Sequence, residues 1–258
     1  MAILPLDHGI FASSAVSGAG PAGYFGGGQD AGGEVTTVDK FLFSDDSRTT
    51  LGTGLSDARQ HLGANASSVA GYFGGGVSAY TDAVDRFLFS DDSRTILSTG
   101  LSGPRGYLAG MASPVAGYFG GGNTSATTVD RFLFSNDSRT TLGTGLSGNS
   151  RRLAANASSV AGYFGGGSDY PTWLTTVDRF LFSNDSRTTL STGLSVGTAG
   201  LAGMASSVAG YFGGGENVSA VQLTTVERFL FSDDSRTTLG TGLSAANENL
   251  AGMANHGA

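Results

Sequence analysis

The sequence predicts an all-β fold, a five-bladed β-propeller with four antiparallel strands per blade, and three observations predict it. The string Gly-Tyr-Phe-Gly-Gly-Gly occurs five times, with its Tyr at 24, 72, 118, 163 and 211, at spacings of 48, 46, 45 and 48 residues. Each copy is followed by a second block, read whole at Thr176–Leu190 as Thr-Val-Asp-Arg-Phe-Leu-Phe-Ser-Asn-Asp-Ser-Arg-Thr-Thr-Leu. A third block precedes most copies, as Leu-Ala-Gly-Met-Ala before two of them and as Leu-Gly-Ala-Asn-Ala or Leu-Ala-Ala-Asn-Ala before two others. A self-similar unit of about 45 residues that reads as four short strands is the size of one propeller blade.

The elements of a unit follow in order, lettered a to d. Strand a is Leu201–Ser206 and strand b is Val208–Gly213. Strand c, Thr176–Ser183, is rich in β-branched and aromatic residues, the composition that suits a pleated surface. Strand d is Thr188–Leu194, joined to c by the polar turn Asn-Asp-Ser of the kind that closes a hairpin. Of the 16 Phe, all but one fall at repeat positions, two in each strand c and one in each strand b. That places them in the core, where each contributes roughly 1.5–3 kcal/mol relative to exposure. The glycines that end strand b permit positive φ and close approach of neighbouring strands.

Closure is predicted from the chain ends. Ser14–Gly20 matches strand a poorly, whereas Leu250-Ala-Gly-Met-Ala254 matches it in full. The C-terminal strand is therefore expected to complete the blade begun near the N-terminus, which pairs the last open edge. Residues 1–20 become an N-terminal extension, and 21–258 form one domain. The blades then span about 21–56 with 250–254, 57–102, 103–147, 148–195 and 196–244.

Composition excludes several classes. The 258 residues include 43 Gly without a Gly-X-Y period, so collagen is excluded. Aromatics at 10% exclude a disordered composition, although charged residues are sparse at 14%. The net charge of −7 argues against nucleic acid as a partner. Cysteine is absent, which removes disulfides and thiolate metal sites. Met1–Gly9 has neither a basic region nor a long apolar run. No secretory signal or membrane insertion is expected, and a cytoplasmic location or a place in a particle is.

The copies differ from one another in two places. One is the b–c loop, at Gln29–Val35, Val77–Ala83, Asn123–Ala126, Ser168–Leu174 and Glu216–Leu223. The other is the d–a loop, at Asp57–His61, Gly103–Tyr107, Gly148–Arg152, Val196–Ala199 and Ala245–Asn249. Strands that run up and down put both loops at one end of the ring, so the variation is expected to crowd one face. Binding residues are disproportionately carried on such loops. Subtracting the repeat leaves Tyr80, Tyr107, Tyr170, Trp173, Arg59, Arg105, Arg151 and Arg152, all in these loops. Tyr, Trp and Arg are the types favoured at binding hot spots.

Catalytic and metal chemistry find no set of residues. His8, His61 and His256 lie outside the repeat pattern and form no triad or metal spacing. The pairs Asp45-Asp46, Asp91-Asp92 and Asp233-Asp234 are candidates for a hard cation, but the other copies read Asn136-Asp137 and Asn184-Asp185. Only the second acid persists, so Asp46, Asp92, Asp137, Asp185 and Asp234 are expected to stabilise the turn. Arg48, Arg94, Arg139, Arg187 and Arg236 follow and are expected to pin the hairpin. The strand c charges Asp39-Lys40, Asp85-Arg86, Asp130-Arg131, Asp178-Arg179 and Glu227-Arg228 point to opposite faces and are expected to pair between strands or blades. No cofactor is expected.

A hydrophobic strand that ends in glycines, then a variable loop, then a strand with a polar hairpin, resembles the kelch repeat over roughly residues 21–254. Where kelch blades carry a Trp, this chain has Leu51, Leu97, Leu142, Leu190 and Leu239. The hairpin Ser183–Thr189 also resembles the Asp-box of sialidase-type propellers, with Arg187 for its Gly and Leu190 for its Trp. Both likenesses imply a propeller. Similar arrays in bacterial and phage surface or tail proteins suggest a non-enzymatic binding or assembly module whose variable face takes a protein partner. The alternative is a lectin that binds a glycan, and after that a sialidase-like enzyme. Fold alone does not choose among them.

Overall fold

The computed structural model describes residues 9–12, 22–124 and 126–252. Five four-stranded antiparallel sheets are set in a ring, a five-bladed β-propeller, with no helix among the described residues. The fifth unit is representative. Strand a is Ala202–Ala205, b is Ala209–Gly213, c is Val226–Leu230 and d is Arg236–Thr238. Pairing follows chain order, with Tyr211 opposite both Met204 and Arg228. Strand d is shorter than the sequence suggested. In the fourth unit it covers Arg187–Thr189 only, because the chain turns after Leu190 and returns through the Leu194 N–H bond to the Thr175 carbonyl.

Inner strands line the axis and outer strands face solvent. In strand c, Asp130 and Phe132 share one face of the sheet and Val129 lies on the other, and all three are buried. Between blades one and two, two and three, three and four, and four and five lie four hydrophobic clusters. Each such seam is built from the same parts. Tyr24, Tyr72, Tyr118 and Tyr163 stack on Phe89, Phe134, Phe182 and Phe231 of the next blade, with ring centroids 5.2–5.5 Å apart. A second Phe of the next blade lies under the last glycine of strand b. A Cβ on Gly120 would sit 2.6 Å from the Phe164 ring, so only glycine fits there.

The seams also reassign the hairpin acids. The first of each pair caps its own turn: Asp45, Asp91, Asn136, Asn184 and Asp233 accept the backbone N–H two residues on, at 3.0 Å. Hydrogen bonding from the Ser47, Ser93 and Ser235 side chains, and then that backbone bond, holds the exposed carboxyls of Asp45, Asp91 and Asp233 below their ordinary pKa. Since the cap needs only an oxygen, Asn serves equally. The second acid sits at φ 55–59° and, in four blades, reaches across the seam. Asp92, Asp137, Asp185 and Asp234 accept from the Tyr hydroxyl of the preceding blade at 2.7–2.9 Å. They also pair with Lys40, Arg86, Arg131 and Arg179 of that blade. In these four blades the persistent acid is an inter-blade clamp as well as the left-handed residue of its own turn, a partner the sequence reading did not foresee. Among the hairpin arginines, Arg48 meets Asp39 at 3.0 Å and Arg236 meets Glu227 at 3.4 Å, each joining strand d to strand c. Arg187 donates to the Gly145 carbonyl at 2.9 Å, and Arg94 lies 3.9 Å from Asp85. Arg139 makes no side-chain bond among the described residues.

The first blade is completed differently from the expectation. Gly9–Ala12, not the C-terminal segment, pairs with Ala22–Gly26, in the register Gly9↔Gly26 to Ala12↔Gly23. The pairing uses backbone groups that any extended segment supplies. A strand a few residues upstream also closes a far smaller loop than one at the other end of the chain. Leu250–Gly252 instead runs beside the inner strand of blade five, where Asn249 donates to the Gly200 carbonyl at 2.7 Å, and joins no sheet. Met253 and Ala254 lie outside the described residues. Among the described residues, blades five and one do not share a seam of the repeated kind. Asp46 and Phe43 are exposed, and Tyr211 is half-buried with no acceptor for its hydroxyl among the described residues.

Candidate binding face and axial cavity

Both sets of variable loops lie at one end of the ring, held together by backbone bridges. Gln60 pairs with Val77, Arg151 with Ser168, and Ala199 with Glu216, in each case joining a d–a loop to a b–c loop. The other end carries the repeated turns, where Val69, Val115, Val160 and Val208 accept from Phe89, Phe134, Phe182 and Phe231.

The eight loop residues singled out from the sequence part into three groups. Arg59 and Arg105 leave the face. They are 1% and 0% exposed, and each pairs with a buried acid on strand c of the blade its loop leads into, Arg59 with Asp85 at 2.7 Å and Arg105 with Asp130 at 2.9 Å. Burial pulls both guanidinium groups below their ordinary pKa, and the facing aspartate opposes that. A guanidinium stays charged at any working pH regardless. These two are seam residues, and composition could not separate them from surface arginines because both sit in loops.

Tyr80 and Tyr170 do stand on the face, Tyr170 at 74% exposure. Tyr170 tips a two-stranded ribbon in which Ser168–Asp169 pairs with Thr172–Trp173. Trp173 is half-buried behind it, with an indole Nε1 that is buried and finds no acceptor. Arg151 is half-buried beside the same ribbon, bridged through its backbone to Ser168.

Tyr107 and Arg152 surround the axis. They belong to a girdle of left-handed residues, His61, Tyr107, Arg152, Gly200 and Asn249, with φ between 53° and 68°. Each N–H in turn donates to the carbonyl of the residue one blade back, at 2.7–2.9 Å from Tyr107 to His61 through Asn249 to Gly200. The girdle and the inner strands beneath it line a cavity of about 180 Å³. His61 stacks on Tyr107 with ring centroids 4.1 Å apart. Arg152 reaches Glu216 at 2.6 Å and Glu248 at 2.5 Å, which ties the fourth blade to two later loops. One repeat position thus presents four different side chains and one glycine to one cavity. The sequence carried that signal, since all five residues end or follow the d–a loops, but only the ring brings them together.

Among the described residues, no group of three or more His, Asp or Glu is arranged to hold a metal ion. His8 and His256 lie outside the described residues. No family model matches the chain, and no curated protein matches it.

Proposed function

We propose that this propeller is a non-enzymatic binding module whose variable face receives a protein partner. The observation that carries the reading is the division of the molecule into a repeated scaffold and one unrepeated face. Four seams repeat nearly group for group. The unrepeated side chains of Tyr80, Tyr170, Tyr107 and Arg152 gather at the other end of the same blades. Exposed tyrosines on a rigid support supply contact area at small entropic cost. The axial cavity, about 180 Å³, is below the size of a typical small-molecule pocket and suits a single inserted side chain. The likeness of the repeat to kelch arrays supports a binding role without naming a partner.

A lectin is the second reading. Its support is the His61–Tyr107 stack with Arg152 and Asn249 around one cavity, a mixture of flat and hydrogen-bonding groups that could hold one sugar ring. One experiment separates the two. The wild type and a Tyr170→Ala/Tyr80→Asn variant are used as bait in source-cell lysate, with and without mixed free sugars. A protein retained by the wild type, lost with the variant and indifferent to sugars supports the partner reading. Displacement by sugars supports the lectin, and equal retention by both baits refutes a role for this face.

A further inference from the structure

Arg59 and Arg105 hold equivalent places in the repeat, and Ser150 stands at the same place in the next unit. In the first two cases a guanidinium fills the seam beneath the d–a loop and meets the same three acceptors. Arg105 reaches Asp130 at 2.9 Å, the Phe119 carbonyl at 3.1 Å and the Ser102 hydroxyl at 3.5 Å. Arg59 reaches Asp85 at 2.7 Å, the Phe73 carbonyl at 3.4 Å and the Ser56 hydroxyl at 3.1 Å.

In the third seam all three acceptors are present without the arginine. Asp178 is 3% exposed and accepts from the Ser147 backbone at 2.7 Å and its hydroxyl at 2.9 Å, as Asp130 does from Ser102. Ser150 turns away to donate to the Gly166 carbonyl at 2.9 Å. The volume that Arg59 and Arg105 fill elsewhere is here a cavity of about 130 Å³, lined by Ser147, Ser150, Phe164 and Asp178, with Leu146 and Leu174 on its apolar walls. Asp169, an exposed second carboxylate, stands on its lining. The fourth seam does not repeat this feature. Glu227, one methylene longer, takes both oxygens to the Ser195 N–H, and the cavity shrinks to about 10 Å³.

We propose that the pocket over Asp178 is a binding site for an alkylguanidinium group. A planar fork of N–H donors matches a carboxylate flanked by a carbonyl and a hydroxyl, and the same chain shows that match twice. The buried carboxylate favours a cation that can replace its lost hydration. The pocket is lined by residues of both variable loops of its blade, Gly148 and Asn149 from one and Asp169 and Leu174 from the other, which places it at the loop face. The inference does not depend on the partner reading, because a free guanidinium compound and an arginine of a partner would both satisfy it.

The test is calorimetric titration of the full chain with agmatine, with glycyl-arginyl-glycine and with the lysine tripeptide as a charge control. Saturable one-site binding of a guanidinium probe, with the lysine probe at least about tenfold weaker, is expected. The Ser150→Arg variant supplies the group from within, so it should lose the binding and melt at a higher temperature than the wild type. Tighter binding of agmatine marks a free compound as the source, and tighter binding of the tripeptide marks a partner's arginine. Absence of saturation, equal binding of the lysine probe, or binding unchanged in Ser150→Arg would each overturn the proposal.

Discussion

The Tyr72 hydroxyl donates to Asp137 across the seam between blades two and three, at 2.9 Å and over 65 residues of chain. Arg86 meets the other oxygen of the same carboxylate. Asp137 thus joins two blades, while its neighbour Asn136 serves only its own turn. Asp137→Asn keeps a side chain that tolerates positive φ but removes the charge that Arg86 needs. It should cost about 1–2 kcal/mol. Asp46→Asn, at the equivalent place with no partner across it among the described residues, should be close to neutral. Urea midpoints of the two variants check the difference, and equal losses would refute the clamp.

Arg105 and Asp130 form an ion pair with both side chains fully buried. Breaking such a pair from one side leaves an uncompensated charge. Arg105→Met should therefore destabilise by about 3 kcal/mol, toward the low end because Ser102 and Thr141 still bond to Asp130. Adding Asp130→Asn should recover part of the loss. A double-mutant cycle in denaturant measures the coupling, and additive effects would show that the pair is not a unit.

Glycine is required at one position and incidental at another. At Gly120 an added Cβ would meet the Phe164 ring at 2.6 Å, whereas at Gly143 it would meet nothing within 4 Å. Gly120→Ala should lose about 1–3 kcal/mol through overpacking. Gly143→Ala should be neutral or gain a few tenths of a kcal/mol from a less flexible unfolded chain. Paired thermal melts decide this.

Alkaline pH should unfold the ring through its seams. Burial, and then the hydrogen bond to the clamp aspartate, push the phenols of Tyr24, Tyr72, Tyr118 and Tyr163 well above the ordinary tyrosine range. The folded state holds these protons more tightly than the unfolded chain. Their contribution is therefore complete below about pH 10, the unfolded value, and is lost as pH rises beyond it. Urea midpoints measured from about pH 9 upward should fall, and fall less steeply in Tyr118→Phe, which has no proton to lose. A flat profile would contradict the buried phenols.

Much of this was legible in the chain. The Gly-Tyr-Phe-Gly-Gly-Gly strings gave the count of blades, and the Phe that recur in strands b and c gave core positions. The split between repeated turns and variable loops located the two ends of the ring. Less legible was which loop arginine faces outward. Arg59 and Arg152 lie in equivalent loops, yet the first is sealed against Asp85 and the second lines the axial cavity. Their places relative to the inner strand differ by two residues, and only the path of the turn converts that offset into inside or outside.

The sequence by itself determined the unit, its strand order and the side on which variation collects, because each rests on local pattern: alternation, turn residues and a period repeated five times. Tertiary structure decided the partners. It sent the second hairpin acid across the seam, chose Gly9–Ala12 over the C-terminal segment for the first blade, and left a cavity where Ser150 replaces an arginine. Those outcomes depend on contacts between residues far apart in the chain. Which groups meet there is set by the geometry of the closed seams, and no local pattern encodes it.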